Sequence, residues 1–165
     1  MNRAFGLHRD AVAWDDAAMS GLDVRRLVSG DTAAAQVMFE MMARVFGEER
    51  EPLGADYVRD LLGRPGFWAL AASVGPEIVA GLTAHTLPMT RSRSSELFIY
   101  DLAVRPDHQR HGIGRRLVVG LRAAAAAEGI HEIFVPADDE DAHALKFYRA
   151  LGAAASPVTM FTFKG

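Results

Sequence analysis

Cysteine is missing altogether from the 165 residues, so no disulfide braces the fold and no thiolate can act as nucleophile or metal ligand. Any acyl transfer by this chain goes straight to its acceptor or through another residue. Positive charge is also in deficit, with 18 Lys and Arg against 21 Asp and Glu and a net charge of −3. That balance disfavours nucleic acid as a partner and suits a cationic ligand. No apolar run approaches the length of a membrane span. The N-terminal stretch holds Asp10, Asp15 and Asp16 where a signal peptide would need an apolar core, so a cytoplasmic protein without a membrane partner is expected. The histidines (His8, His85, His108, His111, His131 and His143) lack metal-ligand spacing, and no metal is assigned.

What is present is a globular balance, with 50% hydrophobic and 24% charged residues, enough for one domain with a sizeable core. Residues 1–21 read as a partly ordered leader and 22–165 as a single domain without repeats or a dividing linker. Periodicity and turn signals predict strands over Leu22 to Val28, Phe67 to Val74, Glu77 to Leu87, Glu96 to Val104, Ile130 to Pro136 and Val158 to Phe163. Helices are predicted from Asp31 or Thr32 to Val45, Ala55 to Leu62, Gly112 to Glu128 and Glu140 to Leu151. The methionines at 38, 41 and 42 read as core filler, and Trp14 and Trp68 as packing rather than recognition.

The chain is organised around Leu97 to Leu117, LFIYDLAVRPDHQRHGIGRRL. An apolar strand gives way to a turn at Pro106 and then to Gln109-Arg110-His111-Gly112-Ile113-Gly114 at the start of a long helix. First-turn amides have no intrahelical partner, and the macrodipole adds partial positive charge, so such a junction binds anions. Gly112 and Gly114 let backbone approach a diphosphate, while Arg110, Arg115 and Arg116 add charge. A phosphorylated cofactor is expected there.

These residues resemble the acetyl-CoA signature of the Gcn5-related N-acetyltransferases, Gln/Arg-x-x-Gly-x-Gly/Ala after a strand. Phe147-Tyr148-Arg149-Ala150-Leu151-Gly152 resembles the family's second marker. The resemblance implies an α/β (α+β) fold, a central mixed, mostly antiparallel sheet flanked by helices and splayed at the cofactor strand. It implies acetyl-CoA as cofactor, its pantetheine pairing with the backbone of Leu102, Ala103 and Val104 and its diphosphate held by Gln109, Arg110, His111, Gly112, Ile113, Gly114 and Arg115. A backbone N–H near Leu102 would polarise the thioester carbonyl. Tyr148 stands where the family places a general acid for the departing thiolate, the plain reading being a core tyrosine. Asp141 stands where many relatives carry Asn at a cofactor contact.

Strand alternation sets Phe98, Tyr100 and Leu102 on one face and Leu97, Ile99, Asp101 and Ala103 on the other. A carboxylate in so apolar a strand is costly unless it is paired or lines a cleft. Asp101 is therefore either a base and cation ligand or one half of a buried ion pair. The clusters Glu48-Glu49-Glu51 and Asp138-Asp139-Glu140-Asp141 read singly as solvated turns and, taken with Asp101, as an anionic rim for a polycation.

Ala43 to Gly47, Phe67 to Ala72, Ile99 to Val104 and Val135 to Asp138 resemble aminoglycoside 3-N-acetyltransferases of this type. That narrower resemblance implies acetylation of a small polycationic amine, with Asp101 and Tyr148 catalytic and Glu48, Tyr100, Asp101, Asp138 and Asp139 contacting substrate. It also implies a homodimer, without marking the interface. A polyamine or protein-amine acetyltransferase and a non-catalytic acetyl-CoA-binding module are the alternatives.

Overall fold

The computed structural model describes residues 21–48 and 50–165. Trp14, Glu49 and the expected leader, Gly21 apart, lie outside the described residues. The described chain runs β1 (Leu22–Arg26), α1 (Thr32–Val45), α2 (Ala55–Leu62), β2 (Phe67–Val74), β3 (Glu77–Pro88), β4 (Ser95–Val104), α3 (Ile113–Ala127), β5 (Glu132–Phe134) and α4 (Ala142–Ala150). The strands form one sheet in sequence order, with β1 to β4 antiparallel and β5 parallel to β4. This is the mixed, mostly antiparallel sheet that the family resemblance implied.

Both faces of the sheet are covered. On one face Trp68, Leu70, Leu82, Leu97 and Ile99 pack against Leu117 and Leu121 of α3. On the other, Phe67, Ala69, Ala71 and Ala103 pack against Met38, Met41 and Met42 of α1 and Val58 of α2. Double burial explains why Phe67 to Ala72 is continuously apolar rather than alternating. Small residues on the α1 face let that helix approach closely: a Cβ on Gly81 would lie 2.6 Å from Met38 Cγ. Trp68 is fully buried, its Nε1 donating to Thr86 Oγ1 at 2.8 Å.

Two strand predictions need correction. A register shift in the β3–β4 pairing matches Thr83 to Asp101 and Ala84 to Ile99, leaving Tyr100 without a counterpart. A bulge of this kind resets the alternation of the strand. Leu97, Ile99 and Leu102 consequently pack on the α3 face, whereas Asp101 and Ala103 turn to the α1 face. The second correction concerns Val158 to Phe163, which forms no strand. Residues 153–165 carry no regular structure and are exposed throughout, because a strand needs a neighbour and no described segment lies beside this one.

The pairing of β4 with β5 covers only Glu96↔Glu132, Leu97↔Ile133 and Phe98↔Phe134. From Ile99 to Val104 that edge of β4 has no strand partner among the described residues, which is the expected splay.

Candidate active site

The gap beside β4 ends at a built turn. Arg105 grips Asp107 with two bonds of 2.7 Å, from Nε and Nη2, and reaches Glu77 Oε2 with Nη1 at 3.2 Å. These bonds tie the end of β4 to the start of β3. Gln109 Nε2 donates to the Val104 carbonyl at 3.0 Å, so this signature side chain holds the loop to the strand. Next, Arg110 (φ 68°) and Gly112 (φ 77°) both adopt left-handed backbone. Such a conformation is costly for arginine and free for glycine. Successive amides in such a turn form an anion-binding concavity, and the α3 N-terminus adds its dipole. The donor set therefore fits a diphosphate, with Arg110 and His111 exposed beside it.

Gly114 also has a packing role. It is buried one residue inside α3, and a Cβ there would meet the Phe147 ring at 3.3 Å and Leu102 Cδ2 at 3.6 Å. Its lack of a side chain lets α3, α4 and β4 converge. The same contact sets Tyr148, whose ring lies 5.0 Å from that of Phe147. Tyr148 is half-buried beside Ile99, Ile133 and Val135, at the point where β4 and β5 part. Burial, and secondarily the charge of Asp141, push its hydroxyl pKa up, so it stays protonated. Asp141 itself caps α4, its Oδ1 accepting from the N–H groups of His143 at 3.0 Å and Ala144 at 2.9 Å. The carboxylate that stands in for the family's asparagine thus has a structural partner already.

On the opposite face of the sheet a cavity of about 1040 Å³ opens between α1, α2 and the middle of β3 and β4. The bulge turns Asp101 into it. Burial is the main cause raising the Asp101 pKa, with the nearby Glu48 charge adding to it; Thr83, by hydrogen bonding, and His85 pull the other way. Of the predicted substrate contacts, Glu48, Tyr100 and Asp101 line this cavity, whereas Asp138 and Asp139 sit exposed in the turn before α4 and do not. Glu40 and Glu51 add carboxylates to the wall, Arg44, Arg50 and Arg64 line it as well, and Glu48 pairs with Arg50 at 3.1 Å. Among the described residues Asp101 makes no salt bridge, and it lines the cavity.

His85 is the residue that sequence reasoning passed over. It lines the cavity with Asp101, its ring packed at an angle against Phe67 at 5.4 Å and edge-to-face against Tyr100 at 5.8 Å. The only sequence signal was its place in β3, and its proximity to Asp101 follows from strand register. No group of three or more potential metal ligands occurs among the described residues. No described helix is long and apolar enough to cross a membrane.

Comparison with solved structures finds the same architecture in an aminoglycoside acetyltransferase from an uncultured soil metagenomic sample. It is 34% identical, with a TM-score of 0.81 over 87% of this chain and 98% of that one. A second soil-metagenome aminoglycoside acetyltransferase, solved with sisomicin, is 29% identical, with a TM-score of 0.85 over 88% and 97% of the two chains. The aminoglycoside N-acetyltransferase AAC(6')-Iy, solved with CoA, shares the fold at 14% identity and a TM-score of 0.70 over 87% and 94%. No curated protein sequence matches. The family whose model matches residues 35–153 spans both the diphosphate turn and the Phe147-Tyr148 helix, and its members take their acetyl group from acetyl-CoA. The chain therefore belongs to the Acetyltransferase (GNAT) family.

Proposed function

We propose that this acetyltransferase acts on aminoglycosides, transferring acetyl from acetyl-CoA directly to the 3-amino group of the deoxystreptamine ring. The observation that carries the reading is the β4 bulge. It turns Asp101 into a cavity whose wall also carries Glu40, Glu48 and Glu51 on one side of the sheet, while the open stretch of β4 runs past the same point. A polycationic amine suits that wall, and both soil relatives of similar sequence are aminoglycoside acetyltransferases.

Acetyl-CoA supplies an activated thioester. In the proposed mechanism the backbone of Leu102, Ala103 and Val104 pairs with the pantetheine amides, and the turn from Gln109 to Arg115 holds the diphosphate. Asp101 orients the substrate ammonium and accepts its proton, directly or through one water. Its raised pKa brings it closer to the working pH than an ordinary carboxylate, as a base requires. A backbone N–H at Leu102 would stand to receive the oxyanion that develops when the freed amine attacks the thioester carbonyl. The Tyr148 hydroxyl would give its proton to the thiolate that leaves as the carbon–sulfur bond breaks, and the second proton of the former ammonium, released through water, would restore that hydroxyl. Asp101 and Tyr148 lie on opposite faces of the sheet, flanking the gap.

The test is thiol release from acetyl-CoA by purified protein with deoxystreptamine aminoglycosides, spermidine and a lysine peptide. Release with the aminoglycosides supports the proposal. Release confined to spermidine or peptide overturns the substrate class while keeping the chemistry, and acetyl-CoA binding without release would leave a binding module.

A further inference from the structure

The face of the sheet that carries Asp101 is only partly covered by α1 and α2. From the bulge back toward the start of β4, aromatic rings follow one another along it in contact: His85 to Tyr100 at 5.8 Å, Tyr100 to Phe98 at 5.9 Å and Phe98 to Phe134 at 5.3 Å. Strand pairing lines them up, since Phe98 stands opposite His85 on β3 and beside Phe134 on β5. His85 and Tyr100 also line the Asp101 cavity. Tyr100 is 63% exposed and Phe134 41%. The rings therefore extend the cavity floor outward, onto a part of the sheet that nothing among the described residues covers. Large apolar side chains left open in one contiguous row mark a binding surface more often than chance exposure.

The charge at the far end of the row tells what it fits. Glu96 of β4 pairs directly with Glu132 of β5, and strand alternation puts both on the face of Phe98 and Phe134. Neither makes a salt bridge among the described residues. Like charges side by side on paired strands destabilise the sheet, and a cation placed between them removes that repulsion. Aromatic faces accept the apolar side of a saturated ring and attract an ammonium group as well. Rings that lead to paired carboxylates therefore suit an amino sugar. Asp101 stands farther along the same strand, about 15 Å from Glu96 at strand spacing. A single-ring amine does not cover that distance, whereas an acceptor of several linked rings does.

We propose that the row Tyr100, Phe98 and Phe134, closed by Glu96 and Glu132, is an outer acceptor subsite that seats an amino sugar linked to the ring whose amine faces Asp101. The sugar lies against the aromatic rings, and its ammonium group enters between the two carboxylates. Holding the acceptor at both ends of the row selects linked-ring amines over single-ring ones. The subsite contributes binding that is equal in the ground and transition states, so its loss is read in KM rather than in kcat. The inference rests on the aminoglycoside reading of the cavity and adds to it the residues that choose among acceptors.

The test is steady-state kinetics of the full chain with sisomicin, an aminoglycoside of linked rings. Glu96→Gln/Glu132→Gln is expected to raise the KM for sisomicin about tenfold, and Phe134→Ser about fivefold. Asp23→Asn/Asp60→Asn removes the same charge at exposed positions away from the row and should move that KM by less than about twofold at physiological salt. The melting temperature of the Glu96→Gln/Glu132→Gln protein should hold or rise, because a like-charge contact is gone, which a merely structural role for the pair would not allow. Glu132→Gln alone, at an exposed position, repeats the test should the double variant fail to fold, with a rise of about threefold expected. Sisomicin acetylated with unchanged KM in these variants, or with an equal rise in the charge control, overturns the subsite and leaves the proposed function standing. Unchanged KM with an altered mass by light scattering assigns the face to a second copy and overturns it too. No acetylation of sisomicin by the parent protein overturns both.

Discussion

The ring of Phe147 lies 3.3 Å from the place a Cβ on Gly114 would occupy, so the first turn of α3 and the middle of α4 meet at a residue with no side chain. Through this contact the start of α3 and the helix bearing Tyr148 pack directly on each other. Gly114→Ala would press the ring aside by a few tenths of an ångström, a strain set against the gain of up to about 1 kcal/mol that alanine brings to a helix. Phe147→Leu should relieve it. The double variant is expected to be more stable than the sum of the single losses predicts, with a coupling of at least about 0.5 kcal/mol, measured by urea denaturation. Simple additivity would mean that the two helices do not meet there.

Asp101→Asn should divide activity from stability. Loss of a general base is expected to lower kcat by about 10²-fold or more. Stability should move the other way at neutral pH. The folded-state pKa of Asp101 lies above its ordinary value, so between the two values the folded protein holds more protons than the unfolded chain. Stability therefore falls as pH rises through that window, and the ionised carboxylate is a burden above it. Asparagine removes the burden, so the melting temperature should rise or hold, and its dependence on acid pH should flatten. A marked fall in melting temperature with activity retained would make Asp101 a structural residue.

The carboxylates near the site should sort by position. Glu48→Gln is expected to raise KM for a cationic acceptor several-fold while leaving the KM for acetyl-CoA in place, because Glu48 lines the cavity. Asp138→Asn and Asp139→Asn should leave both values unchanged, since neither lines it. Steady-state kinetics at low salt, where surface charge is least screened, is the check.

How far these placements could be read from the sequence differs from residue to residue. The bounds of α2, the hairpin of β2 and β3 and the glycine turn were legible, because periodicity and turn chemistry are local. The face of Asp101 was not, because a single unmatched residue at Tyr100 reverses the alternation and leaves no mark in composition. His85 was likewise hidden, its neighbours being set by strand pairing at long range. The last strand was legible as strand-forming sequence, but sequence alone could not say that one chain leaves it without a neighbour.

Asp141 and Tyr148 form a linked pair whose effects are separable. Asp141→Asn keeps a good capping residue and should change stability little, whereas Asp141→Ala removes the cap and should cost about 1 kcal/mol. Both remove the charge that raises the Tyr148 pKa, so an alkaline limb in the kcat profile should move to lower pH in each. Tyr148→Phe should lower kcat by about 10²-fold with KM for acetyl-CoA nearly unchanged, and it should abolish that limb. Alkaline behaviour identical in Tyr148→Phe and the parent would remove Tyr148 from the proton path.

The most direct measurement is the position of the acetyl group on the product. A deoxystreptamine aminoglycoside is converted to completion with acetyl-CoA, and the new amide is located by two-dimensional NMR. The account predicts acetylation at the 3-amino group of the ring, with the Asp101→Asn variant giving the same product at a greatly reduced rate. Acetylation at any other amine, or an unchanged rate in that variant, would contradict it.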